Sequence, residues 1–227
     1  SFLKLLPTIA VVTNIDHEHL DHYGSFKNCV NAFQTFCSRI PFYGVSILCG
    51  EDKETAALSE RLKKRHQLYG LSKKHDWNAQ DIDYQGAQSS FDVYKKEEFQ
   101  ARVIVNLPGK HNVLNALAVV AVADEIGISM KHIQRGLEKF KGVGRRMEIL
   151  HRGKDVIAID DYGHHPTEIK ATLDAIRRAY AGRLVVLFQP HRYSRTRDLF
   201  KDFVSSFDLA DHLFVTGVYS AGESSIT

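Results

Sequence analysis

The sequence predicts an α/β protein built from two consecutive units. Three observations carry that expectation. A β-rich apolar run, TIAVVT at residues 8–13, is followed at once by a dense polar cluster, the pattern of a buried parallel strand and its loop. After residue 144, short apolar runs alternate with helical periodicity in the order βαβαβ, which predicts a right-handed parallel sheet. Between the two stands KGVG at 141–144, whose two glycines break both periodicities and mark a linker.

The elements follow in order. Ser25 is placed to cap a helix whose apolar face is Phe26, Val30, Phe33 and Cys37. Residues 45–48 predict a second strand and 54–64 a second helix. From 67 to 106 the alternation shortens and glycines interrupt it, which predicts a small antiparallel sheet. Pro108 and Gly109 end that region, and a strongly apolar helix runs over 112–126 until Gly127 stops it. Ser129 caps one more helix, ending near Phe140. In the second unit, residues 156–159 predict a strand, and Pro166 suits the first position of a helix reaching about Tyr180. Residues 184–188 predict a strand, 196–207 a helix and 213–216 a strand.

Composition narrows the function classes. The 227 residues give room for one large domain or two small ones, and the net charge of +3 is too small to imply nucleic acid. The run Lys63–Lys64–Arg65 reads as a solvated helix end. Three cysteines (Cys29, Cys37, Cys49) without CxxC spacing predict reduced thiols and a cytoplasmic protein. No apolar run approaches the ~20 residues that span a bilayer, so membrane insertion is not expected. The chain starts without Met and ends without a closing element, and both ends read as cut.

The polar clusters fall where ligands bind in open α/β sheets, beyond the carboxyl ends of strands. NIDHEHLDHY at 14–23 holds three histidines and three acids. It suits Mg²⁺ beside a nucleotide, or simply hydrogen-bonding loop histidines; HExxH, the zinc pattern, is absent. GKHNVLNAL places Asn112 and Asn115 three apart on one helix face, suited to a base edge or a phosphate, although Asn112 equally suits a cap. Arg145 and Arg146 follow the linker glycines, either as hinge charges or as groups that reach a phosphoryl. Asp160–Asp161 at a strand end suits ribose or metal, and one of the two can cap the next helix. PHRYSRTR sets Arg192 and Arg195 three apart beside His191, a concentrated site for carboxylate or phosphate. GxxxxGK[ST], the standard cradle for a nucleotide triphosphate, is absent from these residues.

NIDHEHLDHYGS, LPGKHNVLNALAV, GVGRRME, IDDYGHHPTEI and FQPHRYSRTRDL, in this order, together resemble the Mur ligases over nearly the whole chain. The resemblance implies the remainder of a P-loop-type central α/β domain with a small antiparallel sheet (1–142), followed by a truncated Rossmann-like α/β domain (143–227). DDYGHHPTEI with PHRYSRTRDL points to the member that joins L-alanine to UDP-N-acetylmuramate through an acyl phosphate in peptidoglycan precursor synthesis. It implies ATP and Mg²⁺ as cofactors, the bacterial cytoplasm as location, and a monomer or homodimer. By motif, His19 resembles the Mg²⁺ ligand, and Asn112 and Asn115 the pair beside adenine. Arg146 resembles the linker arginine that reaches the ATP phosphates on closure, and Asp161 the acid on the ribose. Tyr162, His164, Arg192 and Arg195 resemble the positions that meet the muramate product and alanine, with Arg146 and His164 as the catalytic pair. The carbamylated lysine of some relatives has no placed counterpart here. Without a P-loop, these 227 residues alone are expected to be inactive toward ATP. A sister ligase that recycles muramyl peptides or adds glutamate, and a non-catalytic nucleotide-binding relative, are the competing expectations.

Overall fold

The computed structural model describes residues 2–17 and 20–225. They divide into two compact units: one of residues 1–83, 90–105 and 112–139, the other of 84–89, 106–111 and 140–227.

The first unit is organised by a six-stranded sheet whose strands lie side by side in chain order. They are β1 (Ile9–Val12), β2 (Val45–Cys49), β3 (His66–Gly70), β4 (Trp77–Gln85), β5 (Gln88–Lys95) and β6 (Glu98–Val105). β1, β2 and β3 pair in parallel, with Ile9 opposite Val45 and Ser46 opposite His66. β3 meets β4 in parallel over only two pairs, Tyr69–Trp77 and Gly70–Asn78, so a short connection suffices. The connections β4–β5 and β5–β6 are only two residues long, which leaves antiparallel hairpins as the available geometry. The expected antiparallel sheet is therefore present, continuous with the parallel strands as one mixed sheet. Its expected first strand, β3, lies on the parallel side instead, because it aligns with β2.

Every residue of β2 is buried, as a central parallel strand requires. A short helix, α1 (Leu20–Tyr23), precedes α2 (Phe26–Ser38), where the Ser25 side chain accepts from the Asn28 amide at 3.2 Å. α2 lays Cys29, Val30 and Cys37 on a core shared with Val12, Ile15, Leu48, Leu58 and Leu62, with Phe26, Phe33 and Phe36 packed around it. α3 (Lys53–Arg61) is capped by Asp52 and ends three residues earlier than the periodicity predicts. α4 (Lys110–Glu125) buries Val113, Ala116, Leu117, Val120 and Ala121, and the chain leaves it through Gly127 at φ +79°. α5 (Met130–Lys139) closes the unit; the Ser129 carbonyl accepts from the Ile133 amide, while its hydroxyl meets the His132 ring at 2.7 Å.

Leu58 is fully buried in this core. Leu58→Ala should cost about 2–5 kcal/mol from lost burial plus the cavity left behind. Denaturant unfolding of the variant checks this as a lowered midpoint at unchanged slope.

In the second unit, β7 (Glu148–Arg152) and β8 (Ile157–Asp160) form an antiparallel hairpin with a register shift between Ile149 and His151. The Gly153 amide closes its turn on the Val156 carbonyl at 2.8 Å. α6 (Pro166–Ala179) begins with proline, as expected, and carries a capping box made by His165 and Glu168. β9 (Val185–Phe188) leads through α7 (Tyr193–Asp198) and α8 (Phe200–Val204) to β10 (His212–Val215). β9 and β10 pair in parallel. Ile169, Leu173 and Phe203 form the core, with Leu184, Val186, Phe188, Leu199 and Phe207 against them.

Two expectations are corrected here. β8 does not join β9 in a parallel ladder: it hydrogen-bonds to β7, and a cavity of about 620 Å³ has side chains of β8, α6 and β9 among its walls. The helix expected over 196–207 is two shorter ones broken at Leu199, which ends α7 and begins α8.

Candidate active site

The segment after β8 turns back on itself through one carboxylate. Asp161 accepts from the Met147 amide at 2.9 Å, the Gly163 amide at 2.8 Å and the Thr172 hydroxyl at 3.3 Å. A side chain at Gly163 would put its Cβ 2.7 Å from an Asp161 oxygen, so it would have to push that carboxylate aside. Asp161 thereby ties the linker, the 160–165 loop and α6 together.

The linker arginines lie over this loop. Arg145 and Met147 adopt left-handed backbone, φ +58° and +50°. That geometry lets the Tyr162 amide donate to the Arg145 carbonyl at 2.7 Å. The Arg145 guanidinium stands 4.7 Å from the Tyr162 ring centre and that of Arg146 5.7 Å, both within cation–π range. Arg145 also pairs with Asp160 at 3.4 Å, and Arg146 donates to Glu168 at 3.1 Å. The other Glu168 oxygen accepts from the amides of His164 at 3.0 Å and His165 at 3.3 Å. Burial pushes the Glu168 carboxyl up, but the His164 amide and Arg146 outweigh it and hold it below the usual range. Glu168 is therefore a fixed negative charge that orients both the linker arginine and the His164 loop. The His164 Nδ1 lies 3.0 Å from the Tyr162 carbonyl, which can only accept, so this nitrogen carries the proton.

The loop after β9 supplies the basic wall. The ring centres of His164 and His191 are 5.9 Å apart. Arg195 approaches His191 Nδ1 at 3.5 Å; a guanidinium only donates, so that nitrogen accepts. Desolvation first, then Arg195, His164 and Arg192, hold the His191 pKa below its ordinary value. A neutral histidine beside two guanidiniums makes a site for a carboxylate or phosphoryl oxygen. Arg197, the third arginine of the motif, pairs outward with Asp198 at 2.7 Å and takes no part.

The structure thus gathers Arg146, Asp161, Tyr162, His164, Arg192 and Arg195 in one unit. Asn112 and Asn115 belong to the other, on consecutive turns of α4, the first buried and the second exposed. Asn112 is not the cap, because α4 begins two residues earlier at Lys110. His19 lies outside the described residues. Among the described residues no group of three or more His, Cys, Asp or Glu side chains converges on a cation position. Sequence reasoning missed Glu168, Tyr219 and Glu223 as site residues. The first was detectable as the N3 member of a capping box; the other two, from the segment after β10, carry no local signal.

The chain matches the Mur ligase middle domain over residues 2–123 and the Mur ligase, glutamate ligase domain over 145–226. It belongs to the Mur ligase family. Similar relatives include proteins named UDP-N-acetylmuramate–L-alanine ligase from Sorangium cellulosum, 49% identical over all of this chain and 49% of the relative. One from Myxococcus xanthus is 47% identical over all of this chain and 48% of the relative. The solved UDP-N-acetylmuramate–alanine ligase of Thermotoga maritima superposes with TM-score 0.79 at 30% identity, over 96% of this chain and 47% of that one. The chain therefore spans about half the length of the relatives it matches.

Proposed function

We propose that this chain is the carboxyl-terminal half of an ATP-dependent ligase that joins L-alanine to UDP-N-acetylmuramate. The observation supporting this reading is that Arg146 and the His164 amide share Glu168, while the His164 ring stands 5.9 Å from His191, which Arg195 approaches at 3.5 Å, in a chain nearly half identical to relatives bearing that enzyme name. Residues 1–142 act as the central domain and 143–227 as the carboxyl-terminal one.

The reaction has two steps. The muramate carboxylate attacks the γ-phosphorus of ATP, giving an acyl phosphate and ADP. The amine of L-alanine then attacks the acyl carbon, the amide bond forms, and inorganic phosphate leaves with the former carboxylate oxygen. Arg146, held by Glu168 and stacked on Tyr162, is the group for the transferring phosphoryl charge. Arg192 and Arg195 orient the carboxylate of alanine, and His164, 5.9 Å from His191 between ring centres, handles the amine proton. Asp161 fixes the loop, with room in its acceptor capacity for a ribose hydroxyl. Asn112 and Asn115 serve the adenine. Mg²⁺, when bound, would neutralise phosphate charge, with His19 as its proposed ligand. No helix among the described residues is long and apolar enough to cross a membrane. The bacterial cytoplasmic location and the monomer or homodimer are part of the ligase reading itself.

Phosphate release by the full-length gene product tests this. The assay supplies ATP, Mg²⁺ and UDP-N-acetylmuramate and varies alanine, glycine, serine and glutamate. Turnover that requires UDP-N-acetylmuramate and is fastest with L-alanine is expected. Preference for another amino acid or another acceptor moves the function to a sister ligase. The 227 residues alone, without a P-loop, are expected not to hydrolyse ATP.

A further inference from the structure

We propose that Glu223 is a positioning residue for the arginine site: it anchors the loop that presents Arg192 and Arg195 and so sets the grip on the amino-acid carboxylate. The part of this concerning the carboxylate rests on the ligase reading above.

The loop between β9 and α7 leans on a distant segment as well as on Thr196, whose hydroxyl donates to the Arg192 carbonyl at 2.8 Å. Arg192 precedes α7 with no side-chain cap, and its backbone sits at φ +71°, a conformation a non-glycine residue keeps only when its surroundings impose it. Those surroundings are residues 219–223. The Arg192 amide donates to the Tyr219 carbonyl at 2.8 Å, and the Tyr219 amide donates to the Pro190 carbonyl at 2.8 Å. The Tyr219 and His191 ring centres are 5.3 Å apart.

Glu223 completes the clamp from the side-chain direction. Its carboxylate accepts from both the Ser194 amide at 3.0 Å and the Ser194 hydroxyl at 2.6 Å, and lies 3.8 Å from the Arg192 guanidinium. Ser194 stands between the two arginines in sequence, so fixing it fixes the direction from which both depart. The Ser194 hydroxyl and amide, with Arg192, hold the Glu223 carboxyl below its usual range, so it stays charged at neutral pH. Two guanidiniums against one carboxylate still leave an attraction for an incoming anion. Glu223 thus orders the arginines without cancelling them.

The test uses the full-length gene product. Hydrogen exchange of the peptide containing Ser194 should quicken about tenfold in Glu223→Ala, the loss expected for a hydrogen bond to a charged group. Glu223→Ala should also raise the KM for L-alanine about tenfold while the KM for ATP stays within about twofold. Glu223→Gln, which keeps an acceptor for Ser194, should fall between. Should Glu223→Ala fail to fold, Ser194→Ala, which removes one of the two bonds to Glu223, should shift both readouts the same way by a smaller factor. Unchanged exchange at Ser194 overturns the anchoring role. An unchanged KM for L-alanine, or one that rises in step with that for ATP, overturns the effect on the site. If the wild-type protein shows no alanine-dependent turnover, it is the ligase reading that falls, and hydrogen exchange alone decides the anchoring.

Discussion

Arg146→Ala in the full-length gene product is expected to lower kcat about a thousandfold, the scale of an arginine that stabilises a transferring phosphoryl group. The cost to stability should be small. The Arg146 side chain is 48% exposed and its ion pair with Glu168, at 3.1 Å, is of the surface kind, for which about 0–1 kcal/mol is typical. The stacking over Tyr162 adds a comparable amount. Loss of turnover with the melting temperature lowered by only a few degrees is therefore the signature. Arg146→Lys should recover little, because a point charge cannot match both the plane of Tyr162 and the fork of a phosphate. Turnover by Arg146→Ala within about tenfold of the wild type would remove this residue from the phosphoryl site.

Asp161→Ala should cost stability and release the linker. Three donors lose their acceptor together: the Met147 amide, the Gly163 amide and the Thr172 hydroxyl. Bonds to a charged group contribute about 1.5–3 kcal/mol each, but these share one partly buried carboxylate and water reaches it, so a total of about 2–4 kcal/mol is expected. Asp161→Asn separates the two effects. Its amide oxygen can still serve Gly163 and Thr172, while its NH₂ group faces the Met147 amide, donor against donor. The expected result is a modest stability loss with linker residues 145–147 released. Unfolding free energies read the first part, and hydrogen exchange at Met147 the second. An Asp161→Ala variant as stable as the wild type would mean that the linker is held by other contacts.

The parts of the fold legible in the sequence are those decided locally. Ser25 caps α2 because a short hydroxyl side chain before an amphipathic run satisfies an otherwise unpaired amide, and the structure shows that bond. Gly127 ends α4 because it takes a left-handed backbone at little cost. β7 was not legible: all five of its residues are exposed and three are Glu, His and Arg, so no core-facing alternation betrays it. The pairing of β8 with β7 followed it out of sight. Leu199 breaks a helix that periodicity runs straight through, since nothing in the composition of 196–207 marks the stop. The same division holds for the site. Asp161, His164, Arg192 and Arg195 could be picked out as candidates because polar residues beyond strand ends have few structural alternatives. Glu168 went unread, because its role depends on Arg146, a partner 22 residues away. Glu223 meets Ser194 across 29 residues, a distance no local pattern spans.

Formation of an acyl phosphate on the muramate carboxylate is tested most directly with UDP-N-acetylmuramate labelled with ¹⁸O in that carboxylate. The full-length gene product is given the labelled acceptor with ATP, Mg²⁺ and L-alanine, and the released phosphate is weighed by mass spectrometry. One ¹⁸O atom in each phosphate formed is the expected result, because the bridging oxygen of the acyl phosphate leaves with phosphorus. Phosphate free of label, with product formed, would contradict that route and would require the carboxylate to be activated in another way.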